Sequence, residues 1–265
     1  GALVSLHIAI VGKGGAGKSV LAGSLARILA RRGHRVLTLD SDLMPGLTLS
    51  LGFGIDSAAM LTDAVERGEE GRWRLRKGIG PFRAVSRYAA VAPDGVRHLQ
   101  VGKMDDGGQP AIQASVAGYT QVVHRLSRSR AFADWTIIGD LPAGPRHLVF
   151  PLAPYASTFL LMVEPSWKSA LTARRLATII RDGPGAAVMP VASKVRGEED
   201  RELVETMLGQ PVAAAIPLDP AVRIAERAGV APLDHAPESP AMRAIDALAD
   251  DLLGAGRSMR SSTSP

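Results

Sequence analysis

The chain has 265 residues, 46% apolar and 22% charged, which is enough apolar material for a sizeable core and argues against global disorder. Its net charge of +5 favours anionic ligands without selecting one. Cysteine is absent, which excludes disulfides, thiolate metal sites and cysteine-held iron–sulfur clusters on this chain and fits a reducing, cytoplasmic compartment. No apolar run approaches the roughly 18–20 residues of a membrane span, so no integral membrane segment is expected. Gly1-Ala2-Leu3 does not show the basic-then-apolar order of a signal peptide.

In chain order, Leu6–Val11 is short, apolar throughout and stopped by glycine, the pattern of a fully buried strand. Gly12-Lys13-Gly14-Gly15-Ala16-Gly17-Lys18-Ser19 follows, and Gly12, Gly17, Lys18 and Ser19 meet the pattern G-x-x-x-x-G-K-[ST]. The helix expected over 19–32 places Leu21, Leu25, Ile28 and Leu29 on one face and ends on Arg31, Arg32 and Gly33. Strand, glycine loop and helix form the setting of a phosphate cradle. The backbone N–H groups converge on an anion and the helix N-terminus adds partial positive charge. Lys18 would reach the β and γ phosphates of a nucleotide, and the Ser19 hydroxyl would bind Mg²⁺.

Arg35–Leu39 is a second buried strand, ending at Asp40-Ser41-Asp42 and completing a βαβ unit. Ligands bind beyond the carboxyl ends of such strands, so Asp40 and Asp42 are expected beside the loop. Residues 43–110 are less regular. Leu43-Met44-Pro45-Gly46 is a break, and Leu61–Arg67 suggests a short helix. Arg72–Lys77 reads as a solvated edge strand with Trp73 and Leu75 turned inward, in preference to a nucleic acid contact. A strand at Val96–Val101, a turn at Asp105–Gly108 and a helix over Ile112–Arg130 follow.

Asp134–Asp140 is another buried strand tipped by an aspartate, the second Mg²⁺ partner of this kind of nucleotide site, acting through a water. Strands at 158–163, 186–192 and 212–216 alternate with helices at 166–181, 199–208, 221–228 and 241–253. The whole predicts a single P-loop NTPase domain over 1–254, α/β and doubly wound, with a mostly parallel sheet flanked by helices. Gly- and Ser-rich residues 255–265 are expected to be a disordered tail.

Lys13-Gly14-Gly15-Ala16-Gly17-Lys18-Ser19 resembles the deviant phosphate loop of the MinD/ParA class of ATPases. The resemblance implies that Lys13 reaches across a homodimer, which sandwiches ATP, to the partner's phosphates. It makes Asp40-Ser41-Asp42 a first switch, with Asp42 orienting the attacking water and Asp40 supporting the Mg²⁺ shell. It makes Asp140-Leu141-Pro142-Ala143-Gly144 a second switch. Ala143–Leu148, Val163–Ser166 with Thr172–Arg175, Ser193–Asp200 and Ile216–Val222 are similar to CooC-type accessory ATPases of carbon monoxide dehydrogenase. That branch implies an accessory or maturation factor acting on a client protein.

The nucleotide-binding set implied is Gly12, Gly14, Gly15, Ala16, Gly17, Lys18, Ser19 and Val20, with Ser193, Lys194, Pro217, Leu218 and Asp219 around the adenine. Ser193 stands where the family has asparagine, and a hydroxyl offers a purine edge less than an amide does. The branch's Cys-x-Cys metal pair has no counterpart in 107–118, so cargo delivery of nickel by that route is not expected. His7, His34, His98, His124, His147 and His235 are scattered without metal-ligand spacing, although His147 follows the second switch and could relay nucleotide state. Rival readings are a ParA-like partitioning ATPase on DNA, a MinD-like membrane positioner, a non-catalytic nucleotide-binding regulator, and a small-molecule kinase or ligase.

Overall fold

A computed structural model describes residues 3–43, 46–54, 61–102, 108–143, 153–183 and 185–262. The strands are β1 (His7–Gly12), β2 (Arg35–Asp40), β3 (Val65–Arg67), β4 (Trp73–Leu75), β5 (Ala90–Val91), β6 (Arg97–Gln100), β7 (Trp135–Asp140), β8 (Thr158–Val163), β9 (Ala187–Val195) and β10 (Ala214–Pro217). The helices are α1 (Lys18–Arg31), α2 (Leu47–Leu51), α3 (Pro81–Tyr88), α4 (Gly108–Leu126), α5 (Trp167–Asp182), α6 (Glu198–Leu208), α7 (Pro220–Ala228), α8 (Pro232–His235) and α9 (Pro240–Ser262).

Eight strands make one sheet in the order β10-β9-β8-β1-β7-β2-β6-β5. All pairings are parallel except the β5–β6 edge. The strands are apolar on both faces because helices cover both. Ile8, Ile10, Val36, Ile138 and Leu160 pack on one side with α1, α2 and α9. Ala9, Leu37, Leu39, Ile137 and Phe159 pack on the other with α3, α4, α5 and α6. From central β1 the chain passes through α1 to β2 on one side, and β8 later arrives on the other. Such a reversal of strand order opens a crevice at the carboxyl ends, and the loop after β1 lies there. No helix among the described residues is long and apolar enough to cross a membrane.

Three local expectations give way. Leu61–Arg67 is a 3₁₀ turn over Leu61–Ala64 followed by β3, because β3 pairs antiparallel with β4 and buries Val65 opposite Leu75. The inward turn of Trp73 and Leu75 holds, with the Arg67 guanidinium over the Trp73 ring. The helix expected to 130 stops at Leu126, and a separate 3₁₀ turn seats Phe132 in the core. The tail expected to be disordered from 255 is helical through Ser262. Gly256 is a notch in α9, not its stop: a Cβ there would stand 2.5 Å from Val4 Cγ1. The break at Met44-Pro45, the turn at 105–107, Gly144–Leu148 with His147, and the last three residues lie outside the described residues.

Candidate nucleotide and metal site

Gly12, Gly15 and Gly17 all take positive φ (155°, 80° and 87°), which is what curls the loop between β1 and α1. Gly12 also lies so close to β8 that a Cβ would stand 2.8 Å from the Met162 carbonyl. Ala16 closes the turn, its amide donating to the Lys13 carbonyl at 3.2 Å. Gly17 caps α1 without a side-chain hydrogen bond, and the first turn holds no acidic residue. The N-terminal amides of α1 are therefore left for an anion, with Lys18 at the same end.

Ser19, on the first turn of α1, donates its hydroxyl to Asp140 Oδ2 at 2.7 Å. Asp140 ends β7 and Asp40 ends the neighbouring β2, in register with each other. Asp40 accepts the amides of Asp42 (3.1 Å) and Leu47 (3.3 Å), which ties the Asp40–Asp42 loop to the start of α2. Burial first, and then the charge of Asp140, push the Asp40 carboxyl up to about 7 against those two amides. Burial pushes Asp140 up to about 6, against the Ser19 hydroxyl and the Lys18 ammonium. Two buried carboxylates that hold their protons this tightly, next to a hydroxyl, form a place where a small cation would be favoured. Hard oxygen donors suit Mg²⁺, and it needs few of them because it keeps waters and takes phosphate oxygens. Among the described residues no group of three or more His, Cys, Asp or Glu converges, so a closed all-protein cage is not formed there.

From the loop a cavity of about 590 Å³ runs toward β10 and α7. Gly15, Ala16, Gly17, Lys18, Ser19 and Val20 line one end. Ser193, Lys194, Pro217, Leu218 and Asp219 line the other. The fold thus brings together both halves of the set expected from sequence. Gly12 lies beneath the loop, and Gly14 faces the segment after β7, with Ala143 Cβ 3.5 Å from where its own Cβ would stand. Lys13 is half-buried at the loop's start, and Asp42 is half-buried beyond β2.

Three of the residues at the far end also hold the fold together. Ser193 donates its hydroxyl to the Ala16 carbonyl at 2.8 Å. Lys194, at φ 56°, donates to the Gly15 carbonyl and pairs with Glu164 at 2.9 Å. Asp219 accepts the amides of Ala221 (2.9 Å) and Ala241 (3.0 Å). The sequence offers no signal for the role of Glu164 as the partner of Lys194, nor for Met162, Val222, Arg223 and Ile245, which line the cavity. The apolar ones carry no polar signal that could single them out.

The family model described as the CobQ/CobB/MinD/ParA nucleotide binding domain matches residues 8–233. An uncharacterised ATP-binding protein of Methanocaldococcus jannaschii is 26% identical over 225 residues, 81% of this chain and 86% of that protein. The carbon monoxide dehydrogenase accessory protein CooC of Rhodospirillum rubrum is 23% identical over 244 residues, 88% of this chain and 91% of that protein. Among solved structures, the septum site-determining protein MinD of Pyrococcus horikoshii, complexed with Mg-ADP, superimposes with a TM-score of 0.73 at 23% identity. The match covers 94% of this chain and 96% of that one.

Proposed function

The chain belongs to the CobQ/CobB/MinD/ParA nucleotide-binding family, and from that premise we propose that it is a Mg-ATP-dependent, dimerising ATPase switch acting on a client protein. The observation that carries this reading is the Ser19–Asp140 hydrogen bond with Asp40 alongside, at the mouth of an uncapped helix.

In this reading the amides of residues 14–19 and Lys18 hold the phosphates, and the base lies toward Ile216–Asp219. Ser19, Asp40 and Asp140 would hold Mg²⁺, which when bound supplies positive charge between the carboxylates and the phosphates. Asp42 orients the attacking water. Lys13 of each copy completes the phosphate site of the other, so turnover is slow in the monomer. Loss of the γ-phosphate releases the Asp40–Asp42 and Asp140–Gly144 segments, and the dimer opens. The useful output is the change of shape.

The accessory role, in the manner of CooC, rests on that likeness and on the retained carboxylates. The complete absence of cysteine favours a cytoplasmic setting and argues against a thiolate-held metal cargo. Phosphate release by the purified chain, measured with Mg²⁺ and with EDTA across protein concentrations, tests the reading. Turnover per subunit that is Mg²⁺-independent or flat with concentration would count against it.

One observation favours a second reading, a partitioning-type scaffold on nucleic acid. The β3–β4 hairpin and α3 carry Arg67, Arg72, Arg74, Arg76, Lys77 and Arg83, all exposed. Against it, Glu66 pairs with Arg74 at 3.0 Å on the same surface, and Trp73 is turned inward, away from any base. ATP-dependent retention on duplex DNA that falls steeply with salt would revive it.

A further inference from the structure

Tyr119 lies on α4, on the face of the sheet away from α1, and is completely buried. Its hydroxyl shares a 2.7 Å hydrogen bond with the Ser41 hydroxyl, also buried. Ser41 is the residue between Asp40 and Asp42, and its amide donates to the Asp140 carbonyl at 3.2 Å. One turn earlier on α4, Ser115 donates to the Val101 carbonyl (2.7 Å) and accepts the Leu61 amide (3.0 Å). Gly118 lies against Leu61, where a Cβ would stand 3.1 Å from both the Leu61 Cβ and its carbonyl oxygen. Just beyond Tyr119, Gln121 clamps β4, accepting the Leu75 amide and donating to the Trp73 carbonyl, each at 3.1 Å. A stretch of α4 from Ser115 to Gln121 therefore holds both the loop of the proposed catalytic carboxylate and the β3–β4 hairpin.

We infer that Tyr119 is a positioning residue for Asp42, and that α4 couples the Asp40–Asp42 loop to the hairpin as the surface that reads out nucleotide state. The inference rests on the nucleotide-switch reading above. If Ser41 moves when nucleotide binds, either α4 follows or two buried hydroxyls lose each other, and burial makes the second course costly. The close approach at Gly118 and the two hydrogen bonds of Gln121 leave little slack, so a shift of α4 is passed to the hairpin. The hairpin tip at 68–72 projects to solvent, where a partner can feel it.

Two measurements test this. In ATP hydrolysis, Tyr119→Phe should lower kcat about five- to tenfold with KM unchanged. Ser41→Ala should do the same, and the double variant should be no worse than either alone. A double variant clearly worse than either single one, or a Tyr119→Phe kcat within about twofold of wild type, would overturn the positioning role. For the coupling, Arg72→Cys gives one labelling site in a chain without cysteine. An environment-sensitive fluorophore there should shift its emission on adding Mg²⁺ with a non-hydrolysable ATP analogue. Tyr119→Phe should abolish that shift while leaving analogue affinity, read by calorimetry, unchanged. Analogue that binds while the label stays silent overturns the inference alone. Analogue that does not bind overturns the nucleotide-switch reading, and the inference with it.

Discussion

Ser19 and Asp140 are 121 positions apart in sequence and 2.7 Å apart in space. The hydroxyl sits on the first turn of α1, and the carboxylate closes β7, the strand beside β1. That single bond joins the glycine loop after β1 to the end of β7, and Asp40 on the next strand completes the group.

The carboxylate pair makes the protein without metal sensitive to base. Asp40, raised to about 7, and Asp140, raised to about 6, both favour the protonated form when folded. The stabilising contribution is complete below about pH 4 and is lost as pH rises through 6 and 7. At about 1.4 kcal/mol per pKa unit, the loss between pH 5 and 8 is on the order of 4 kcal/mol. Differential scanning fluorimetry in EDTA should show Tm falling by roughly 5–10 °C between pH 5 and 8. Added Mg²⁺ should recover more at pH 8 than at pH 5.5. Equal recovery at both would contradict the assignment of these groups.

Lys13 tests the shared site. Lys13→Ala should keep nucleotide affinity within about threefold and lower turnover roughly 100-fold or more, as loss of a cation supplied in trans does. Asp42→Ala should instead hold ATP and elute from size-exclusion chromatography as a dimer. Monomers alone, with ATP bound, would exclude the sandwich.

The strand–loop–helix core was legible because its signals are local: β1, α1 and β2 follow from apolar runs and glycine stops within forty residues. Asp40 and Asp140 were legible because strand ends in a parallel sheet share one edge. The Ser193 hydroxyl, by contrast, donates to the Ala16 carbonyl, a partner that no spacing in the sequence reveals. Gly256 falls in the glycine- and serine-rich stretch whose composition suggests disorder, whereas here it lets α9 approach Val4. The Tyr119–Ser41 contact joins positions 78 apart through tertiary packing alone. Periodicity marks a tyrosine as core and says nothing of what its hydroxyl meets.

Gly23 is a point of close helix packing. A Cβ there would lie 2.6 Å from Ser50 Cβ and 2.7 Å from the Ser50 carbonyl carbon, so α2 would have to move. Gly23→Ala should destabilise by about 1–3 kcal/mol despite its better helix propensity. Urea unfolding with no loss of stability would show that α2 yields freely.

His98 sets part of the acid limit. It is fully buried on β6, 2.9 Å from Thr38 Oγ1, and burial pushes its imidazole down to about 4. The unfolded chain takes the proton near 6.5 and the folded chain does not. The stability it contributes is present above pH 6.5 and is lost as pH falls to 4, about 3 kcal/mol in all. His98→Leu should show a shallower loss between pH 7 and 4.5 in urea unfolding. Parallel pH profiles would remove His98 from this role.

Asp219 joins two helices at the wall of the cavity. Its Oδ1 caps α7 through the Ala221 amide, and its Oδ2 takes the Ala241 amide in the first turn of α9. Burial opposes its ionisation, yet these hydrogen bonds outweigh burial and hold the carboxyl below its ordinary value. The contribution is therefore present above about pH 4 and disappears as pH falls through the folded value. Asp219→Ala leaves two amides without an acceptor and should cost about 2–4 kcal/mol, the sum of a lost cap and an unsatisfied donor. Asp219→Asn keeps one carbonyl acceptor and should cost roughly half as much. Because α7 and α9 both line the nucleotide cavity, nucleotide affinity should fall in the same order, alanine more than asparagine. Wild-type melting in Asp219→Ala would show that the two helix starts do not depend on this carboxylate. Wild-type affinity in a destabilised Asp219→Ala would show that the cavity does not depend on the joint.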